Sequence, residues 1–316
     1  MGEVLFGKLK LPSGKRTKTG FSTDEAVLDE LAGTHRAPAA ILEYRKLSKL
    51  LGTYLEPLPG LVRNGCLHTT WHQLGAATGR ISSSDPNLQN IPIRGAWGQR
   101  IRGAFVPRFA GRVLLSCDYS QIELRLLAHM AGDEPFREAF RRGDDVHAAT
   151  AAEMFGKARG AVSPDERRAA KAVNFGIVYG MTAYGLSREL KCPPGVARDY
   201  LDRFFAKHPA VRAFMDGTLE GARAQGWVTT LLGRRRRTPE IASALKLRRE
   251  EAEREALNHP VQGTAADYLK LAMIKVAEDV PDATLLLTIH DELLFEVPAT
   301  GAKALAARVK GAMEGV

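Results

Sequence analysis

Between Ser163 and Gly180 the chain reads Ser-Pro-Asp-Glu-Arg-Arg-Ala-Ala-Lys-Ala-Val-Asn-Phe-Gly-Ile-Val-Tyr-Gly, a stretch with little freedom in how it can fold. Ser163 is a good helix N-cap, Pro164 suits the first helical position, and Glu166 stands where a capping box needs its acid. Arg167, Lys171, Phe175 and Tyr179 follow at steps of four, a spacing that puts them on one helix face. At 1.5 Å per residue that face is roughly 18 Å long, with two cations near its start, an aromatic in the middle and a second aromatic at its end.

The cations stand at the wrong end for simple helix electrostatics. A helix N-terminus already carries partial positive charge, so Arg and Lys are better placed at the other end. An external anion such as phosphate, attracted by both the dipole and the side chains, accounts for Arg167, Arg168 and Lys171 in the first turns. A solvated basic face packed through Val173, Ile177 and Val178 accounts for them equally well.

Two other stretches deliver carboxylates. Val113-Leu114-Leu115-Ser116-Cys117 is a continuous apolar run of buried-strand type, ending in Asp118 and Tyr119 ahead of an expected helix from Ser120. Near the C-terminus two β-type runs, 284–289 and 292–298, flank His290-Asp291 and predict a tight hairpin with those residues at its tip. A carboxylate at the mouth of a buried strand is costly unless paired or bound to a cation. If the strands are neighbours, both carboxylates meet, and hard oxygen ligands of that kind suit Mg²⁺. Glu123, three residues after Ser120, predicts a capping box.

The net charge of +9 and a pI near 9.5 favour a polyanionic partner, most simply nucleic acid. With 316 residues and 45% hydrophobic content the chain can bury a core of two or three subdomains. Cys66, Cys117 and Cys192 are scattered without a C-x-x-C, which argues against a zinc site or disulfide framework. No apolar run approaches membrane-spanning length, and no signal peptide is visible.

Coarser expectations complete the chain. The loop around Lys15-Arg16-Thr17-Lys18-Thr19 mixes cations and hydroxyls, as a segment touching a nucleic-acid backbone would; a flexible surface loop fits as well. Residues 24–52 read as helical with Asp24 as cap, 67–71 as a strand, and 77–92 as a loop dense in hydrogen-bonding side chains. Residues 196–226 read as two amphipathic helices. Arg234 to Arg237 form a basic cluster, either a solvated surface run or a phosphate-facing one. Residues 246–257 read as one helix and 264–279 as another.

Four of these segments together resemble family A DNA polymerases, the bacterial DNA polymerase I group, in family order and over nearly the whole chain. Arg167-x-x-x-Lys171-x-x-x-Phe175-Gly-x-x-Tyr179-Gly is similar to the family's nucleotide-binding fingers helix. Asp118-Tyr119-Ser120-Gln121-Ile122-Glu123 resembles its first catalytic motif, and His290-Asp291-Glu292 its second. The loop 77–92 resembles its primer-template contact motif.

The resemblance implies an α+β right-hand polymerase fold with an antiparallel palm sheet, mostly helical fingers and a partial helical thumb. The expected divisions are 1–65 as partial thumb, 66–123 and 258–316 as palm, and 124–257 as fingers. It implies DNA-templated addition of deoxynucleoside triphosphates to a primer 3′-hydroxyl with two Mg²⁺ ions. Asp118, Asp291 and the Tyr119 carbonyl would hold the metals, with Lys171 catalytic beside the two carboxylates. Gln121, Glu123, His147, Arg167, Lys171, Phe175 and Tyr179 would meet the nucleotide, Glu123 by blocking a ribose 2′-hydroxyl. Arg80, Asn87, Gln89, Asn90, Arg254, Asn258, Gln262 and His290 would meet primer-template DNA. It further implies a monomer with no membrane partner, working in the cytoplasm on a bacterial nucleoid or in a phage-infected cell. The chain is expected to begin partway through the thumb, to stop inside the final helix and to lack proofreading. A nuclease would use the same carboxylates, but no separate D-x-E cluster is present. A single-subunit RNA polymerase shares the sheet, and Glu123 favours deoxynucleotides. A fragment acting only as a DNA-binding module is the alternative from another class.

Overall fold

The computed structural model of the chain describes every residue except Lys15, Lys18, Thr19 and Arg94, and separates into two units. The first comprises Met1–Thr70 and Pro92–Arg108, the second Trp71–Ile91 and Phe109–Val316.

In the first unit the short strands β1 (Arg16–Thr17) and β2 (Gly20–Phe21) pair antiparallel, and Arg16 lies 5.0 Å from the centroid of the Phe21 ring. The remainder of the Lys15–Thr19 loop reading falls outside the described residues. The helical stretch expected over 24–52 is two helices, α1 (Glu25–Ala32) and α2 (Arg36–Leu50). The break is local chemistry: Thr34 donates its hydroxyl to the Leu31 carbonyl, and His35 Nδ1 accepts from Ala37 N to cap the second helix. Asp24 caps α1 as expected, accepting from Val27 N at 3.0 Å. Helices α3 (Pro57–Leu61) and α4 (Gly95–Gly103) complete the unit, with Leu5, Leu28, Leu31, Leu58 and Ile101 buried.

The second unit opens within β3 (Thr70–His72), a strand later than the one expected over 67–71 and paired to β4 (Ser82–Ser84). Its helical part runs through α5 (Ile122–Ala131), α6 (Glu134–Arg141), α7 (Val146–Phe155), α8 (Pro164–Val178), α9 (Ala183–Leu190), α10 (Pro194–Lys207) and α11 (Pro209–Gln225). Leu124, Leu127, Phe136, Met154, Val173, Ile177, Leu186 and Phe204 form their common core. Each such side chain, fully buried, contributes on the order of 1.5–3 kcal/mol. The capping box of α8 is present in full: Glu166 N donates to Ser163 Oγ, and Ser163 N donates to the Glu166 carboxylate.

Strand β5 (Arg112–Asp118) pairs antiparallel with β9 (Glu292–Pro298), which pairs with β8 (Thr284–Ile289), in the order β5–β9–β8. Leu293, Phe295 and Val297 of β9 are wholly buried, and Leu115 and Cys117 of β5 pack on the same core. That core is closed by Leu269, Ala272 and Val276 of α12 (Lys246–Asp279) and by Leu305 and Val309 of α13 (Ala302–Glu314). The apolar run 113–117 was expected to be buried on both faces, but β5 is an edge strand and only one face is covered. Ser116 and Asp118 are exposed on the other. The 284–298 hairpin forms as expected, with His290 at φ 55° turning the chain.

The two helices expected around Pro260 are one 34-residue helix, α12 (Lys246–Asp279). Proline removes one backbone donor from a helix. Here every residue from His259 to Asp267 is buried, and that packing holds the helix through the fault. Part of it lies against the hairpin of β6 (Trp227–Thr229) and β7 (Arg235–Arg237), strands the basic cluster did not signal. Gly263 is required there: a Cβ would stand 2.6 Å from the Thr230 methyl. Among the described residues no helix is long and apolar enough to cross a membrane.

Candidate active site

The β5–β9 register sets Asp118 opposite Glu292, and Tyr119 N donates to the Asp291 carbonyl at 3.2 Å. Asp118 and Asp291, remote in sequence, therefore meet at one end of the sheet. Like charges opposite one another on a ladder are destabilising. Glu292 is partly withdrawn, since its carboxylate accepts the Ser116 hydroxyl at 2.6 Å. Asp118 keeps an exposed edge, but its partial desolvation against the sheet raises its pKa, and the charges of Asp291 and Glu292 raise it further. Burial also raises Asp291, against the pull of Arg80 and His290. Tyr119 is pinned behind the pair: its hydroxyl donates to the Met313 carbonyl at 2.6 Å, and burial pushes its pKa up to about 12.

A second carboxylate sits beside this corner in a different state. Glu123, 5% exposed, receives Arg80 Nη2 at 2.7 Å and the Tyr179 hydroxyl at 2.9 Å. Arg80 Nη2 is also 3.6 Å from Asp291 Oδ1. Burial raises the Glu123 pKa while the Tyr179 and Arg80 hydrogen bonds oppose the rise. Tyr179 is pushed up to about 12 by burial and the Glu123 charge, so its hydroxyl stays a donor. The capping-box expectation for Glu123 is not met. The N-cap of α5 is Gln121, in the left-handed region at φ 56°, with no side-chain cap, and Glu123 is drawn instead into the Arg80–Tyr179 bridge.

Along α8 the expected face is largely intact, although Tyr179 is the residue just past the helix end. Arg167 Nε donates to Asp145 Oδ2 at 2.7 Å. Burial would raise the Asp145 pKa, but hydrogen bonds from Arg167 and from the backbone of Ala148 and His147 bring it below the usual carboxylate value. Lys171 Nζ lies 5.8 Å from the Phe175 centroid, and the His147 ring is 5.8 Å from the same ring. Burial, together with the charges of Arg167 and Lys171, lowers the His147 pKa.

The loop over 77–92 is held down by Gln89, whose amide nitrogen donates to the carbonyls of Ile81 (3.0 Å) and Thr288 (2.8 Å). Asn87 and Asn90 are exposed, Asn87 also accepting from Gln89 N. On α12, Arg254 is exposed and its backbone approaches Gly180, Asn258 carries an enclosed Oδ1 without a partner, and Gln262 is buried. Among the described residues none of those three forms a hydrogen bond or ion pair with Asp118 or Asp291.

Residues that sequence reading passed over organise the basic hairpin. Asp267, 6% exposed, accepts Arg234 Nε at 2.7 Å and the Thr230 hydroxyl at 2.9 Å. A Cβ at Gly79 would stand 2.9 Å from the Arg234 guanidinium, so this loop glycine is what lets Arg234 lie across it. The one sequence signal was an acid inside an otherwise uncharged buried helical run.

The family model for DNA polymerase family A matches residues 1–316, the whole chain. The chain belongs to DNA polymerase family A. It is 51% identical over 319 residues to the thermostable DNA polymerase I of Thermus aquaticus, covering 99% of this chain and 38% of that protein. It is 52% identical over 305 residues to DNA polymerase I of Pseudomonas aeruginosa, covering 94% of this chain and 33% of that one. The chain thus spans well under half the length of these relatives. Among solved structures it is similar to the polymerase domain of Pol1 from M. smegmatis in complex with a DNA primer-template and dNTP, with a TM-score of 0.92 and 41% identity over 99% of this chain and 56% of that one. The α+β architecture with antiparallel sheets is that of a family A polymerase domain.

Whether the corner suits a metal is a question of its donors. Among the described residues no group of three or more His, Cys, Asp or Glu is arranged to hold an ion. The pair Asp118 and Asp291 nevertheless fits a hard divalent cation: all its donors are oxygens, the Asp291 charge raises the cost of ionising Asp118, and Arg80 and His290 offset only part of the cost at Asp291.

Proposed function

We propose that this chain adds deoxynucleoside triphosphates to a primer 3′-hydroxyl under the direction of a DNA template, releasing pyrophosphate. The observation that carries this reading is the meeting of Asp118 and Asp291 at one end of the β5–β9–β8 sheet, beside the Arg80–Glu123–Tyr179 bridge. The names of its relatives, and the primer-template and dNTP bound by the M. smegmatis neighbour, support it.

In this reading the sheet with α13 and the part of α12 from Asn258 onward is palm (66–123 and 258–316), the helices over 124–257, including the start of α12, are fingers, and 1–65 belongs to a thumb. Asp118, Asp291 and the Tyr119 carbonyl would hold Mg²⁺, two ions. When bound, such ions lower the pKa of an attacking hydroxyl and offset charge on the leaving phosphates. Arg167 and Lys171, with His147 beside them, meet the triphosphate, where phosphoryl transfer needs charge neutralised, and Gln121 contacts the nucleotide. Arg167 would exchange Asp145 for phosphate oxygen. Phe175 stacks beside sugar and base, Tyr179 closes the template side, and Glu123 walls off a 2′-hydroxyl. Arg80, Asn87, Asn90, Arg254, Asn258, Gln262 and His290 face the DNA, while Gln89, with its amide donors committed, shapes the loop. A monomer working in a bacterial cytoplasm goes with this reading.

Single-nucleotide insertion on a primed template with Mg²⁺ tests the proposal. Template-directed extension is expected. Binding to the primed template without any insertion would replace it with a DNA-binding module.

A further inference from the structure

Asn174 belongs to the α8 motif, yet none of the roles above uses it. It is 0% exposed, on the side of α8 that faces α7, where His147 (3% exposed) and Thr150 (2% exposed) surround its amide. The amide nitrogen lies 3.1 Å from His147 Nδ1 and 3.0 Å from Thr150 Oγ1. The Thr150 hydroxyl proton goes to the Val146 carbonyl at 2.9 Å, with Asn174 Oδ1 at 3.2 Å as its alternative acceptor. A hydroxyl has one proton, so Thr150 Oγ1 is left to accept, and an amide nitrogen has two, one for each neighbour. His147 Nδ1 is then an acceptor, and a neutral imidazole with an accepting Nδ1 carries its proton on Nε2.

Nε2 has no hydrogen-bond partner among the described residues. It is also not one of the enclosed orphan atoms, which are Arg80 Nε, Thr238 Oγ1, Asn258 Oδ1 and His259 Nδ1. It is therefore not sealed off from an incoming group, on a ring whose centroid lies 5.8 Å from that of Phe175, which Lys171 Nζ also approaches to 5.8 Å. Burial and the two nearby cations lower the His147 pKa, so the ring has one N–H to offer, and its position decides whether an anion meets a donor or a lone pair.

We propose that Asn174, braced by Thr150, is a positioning residue that fixes the orientation and tautomer of His147 so that Nε2–H points as a donor to the triphosphate beside Arg167 and Lys171. This rests on the nucleotide-transfer reading above. Turned about its side-chain axis, the Asn174 amide would instead place its oxygen on Nδ1 and leave Nε2 a bare acceptor.

Long-range ¹H–¹⁵N spectra of the ¹⁵N-histidine-labelled chain read the tautomer without any activity. A proton on Nε2 and a hydrogen-bonded bare Nδ1 are expected at His147; a proton on Nδ1 overturns the proposal. In insertion kinetics Asn174→Leu is expected to raise the nucleotide KM about tenfold, the loss of one hydrogen bond, with kcat moving less. Combining it with His147→Ala should cost no more than His147→Ala alone, because both remove the same donor. Fully additive losses would overturn the proposal, since Asn174 would then act only on the fold. Should Asn174→Leu fail to fold, Thr150→Val is expected to disturb the same resonance and KM, with Thr150→Ser restoring both; wild-type behaviour of Thr150→Val overturns the bracing. A neutral His147→Ala would remove His147 from the nucleotide face and sink this proposal, while leaving the assignment of Asp118 and Asp291 intact.

Discussion

Two places in the second unit hold carboxylates close together, and they handle the charge in opposite ways. At the end of the sheet Asp118 and Asp291 are raised by burial and, for Asp118, by its acidic neighbours, with Arg80 no nearer than 3.6 Å to Asp291. Among the helices, His208 lies between Asp133 Oδ1 at 2.9 Å and Glu153 Oε2 at 3.4 Å, packed on Phe136 and Phe204. Burial opposes a charged His208, but its hydrogen bonds to both carboxylates outweigh that and push the pKa up to about 9. Asp133 at the same time accepts from Phe136 N and caps α6. The second cluster supplies its own cation, held between Asp133 and Glu153, and works as a latch between helices. The first is left short of positive charge, as a site that takes its cation from outside should be.

Changes at the two clusters should therefore have opposite effects. Asp118→Asn or Asp291→Asn is expected to abolish primer extension while the protein melts no lower than its parent, because a neutral isostere removes charges the fold resists holding. DNA affinity and its salt slope should stay near wild type, since phosphate contacts by cations elsewhere supply them. Extension above a trace in either variant removes these residues from the metal site. His208→Leu should do the reverse: unfolding free energy falls by about 3 kcal/mol, the cost of leaving the buried Asp133 carboxylate without its cation, while insertion per folded molecule changes little.

The latch also has a pH signature. Its folded pKa, about 9, lies above the ordinary 6.5, so its contribution is fully present below about pH 6.5 and is lost as pH rises through about 9. The stability gap between parent and His208→Leu, followed by denaturant unfolding from pH 6 to 10, should shrink over that window. A gap independent of pH would mean that packing alone explains the loss.

Two smaller effects sharpen the uncompensated side. Lys171→Ala is expected to weaken the nucleotide transition state by about 1.5–3 kcal/mol, read as kcat/KM, with much less change in DNA affinity. Equal losses for both ligands would mark a general basic surface. Glu123→Ala should narrow the gap in kcat/KM between matched dNTP and rNTP, by about tenfold for a contact worth about 1.4 kcal/mol, mainly by improving ribonucleotide use. An unchanged ratio would leave Glu123 only as the tie between Arg80 and Tyr179.

Legibility in the sequence followed the range of the interactions. The capping box of Ser163 and Glu166, the Asp24 cap and the His290–Asp291 hairpin all rest on residues within a few positions of each other, and all are present. Pro260 misled for a related reason: a local rule favours a break, and only the burial of 259–267 on all sides overrides it. The apolar run 113–117 looked fully buried because hydrophobicity does not record which strand lies at an edge. Glu123 fitted a local cap, but its carboxylate found Arg80 and Tyr179, from segments far away in the chain.

The sequence by itself determined the elements and the motifs: which stretches become helix or strand, which side chains share a face, and where a carboxylate ends a strand. These depend on backbone sterics, capping and periodicity, which act over one or two turns. Tertiary structure alone decided the charge states and partners. It left Asp118 and Asp291 only partly compensated, set His208 between Asp133 and Glu153, seated Arg234 on Asp267, and gave the His147 ring its hydrogen-bonded neighbour in Asn174. Those outcomes depend on desolvation and on distances of a few ångströms between residues far apart in the chain, and neither exists until the chain is packed.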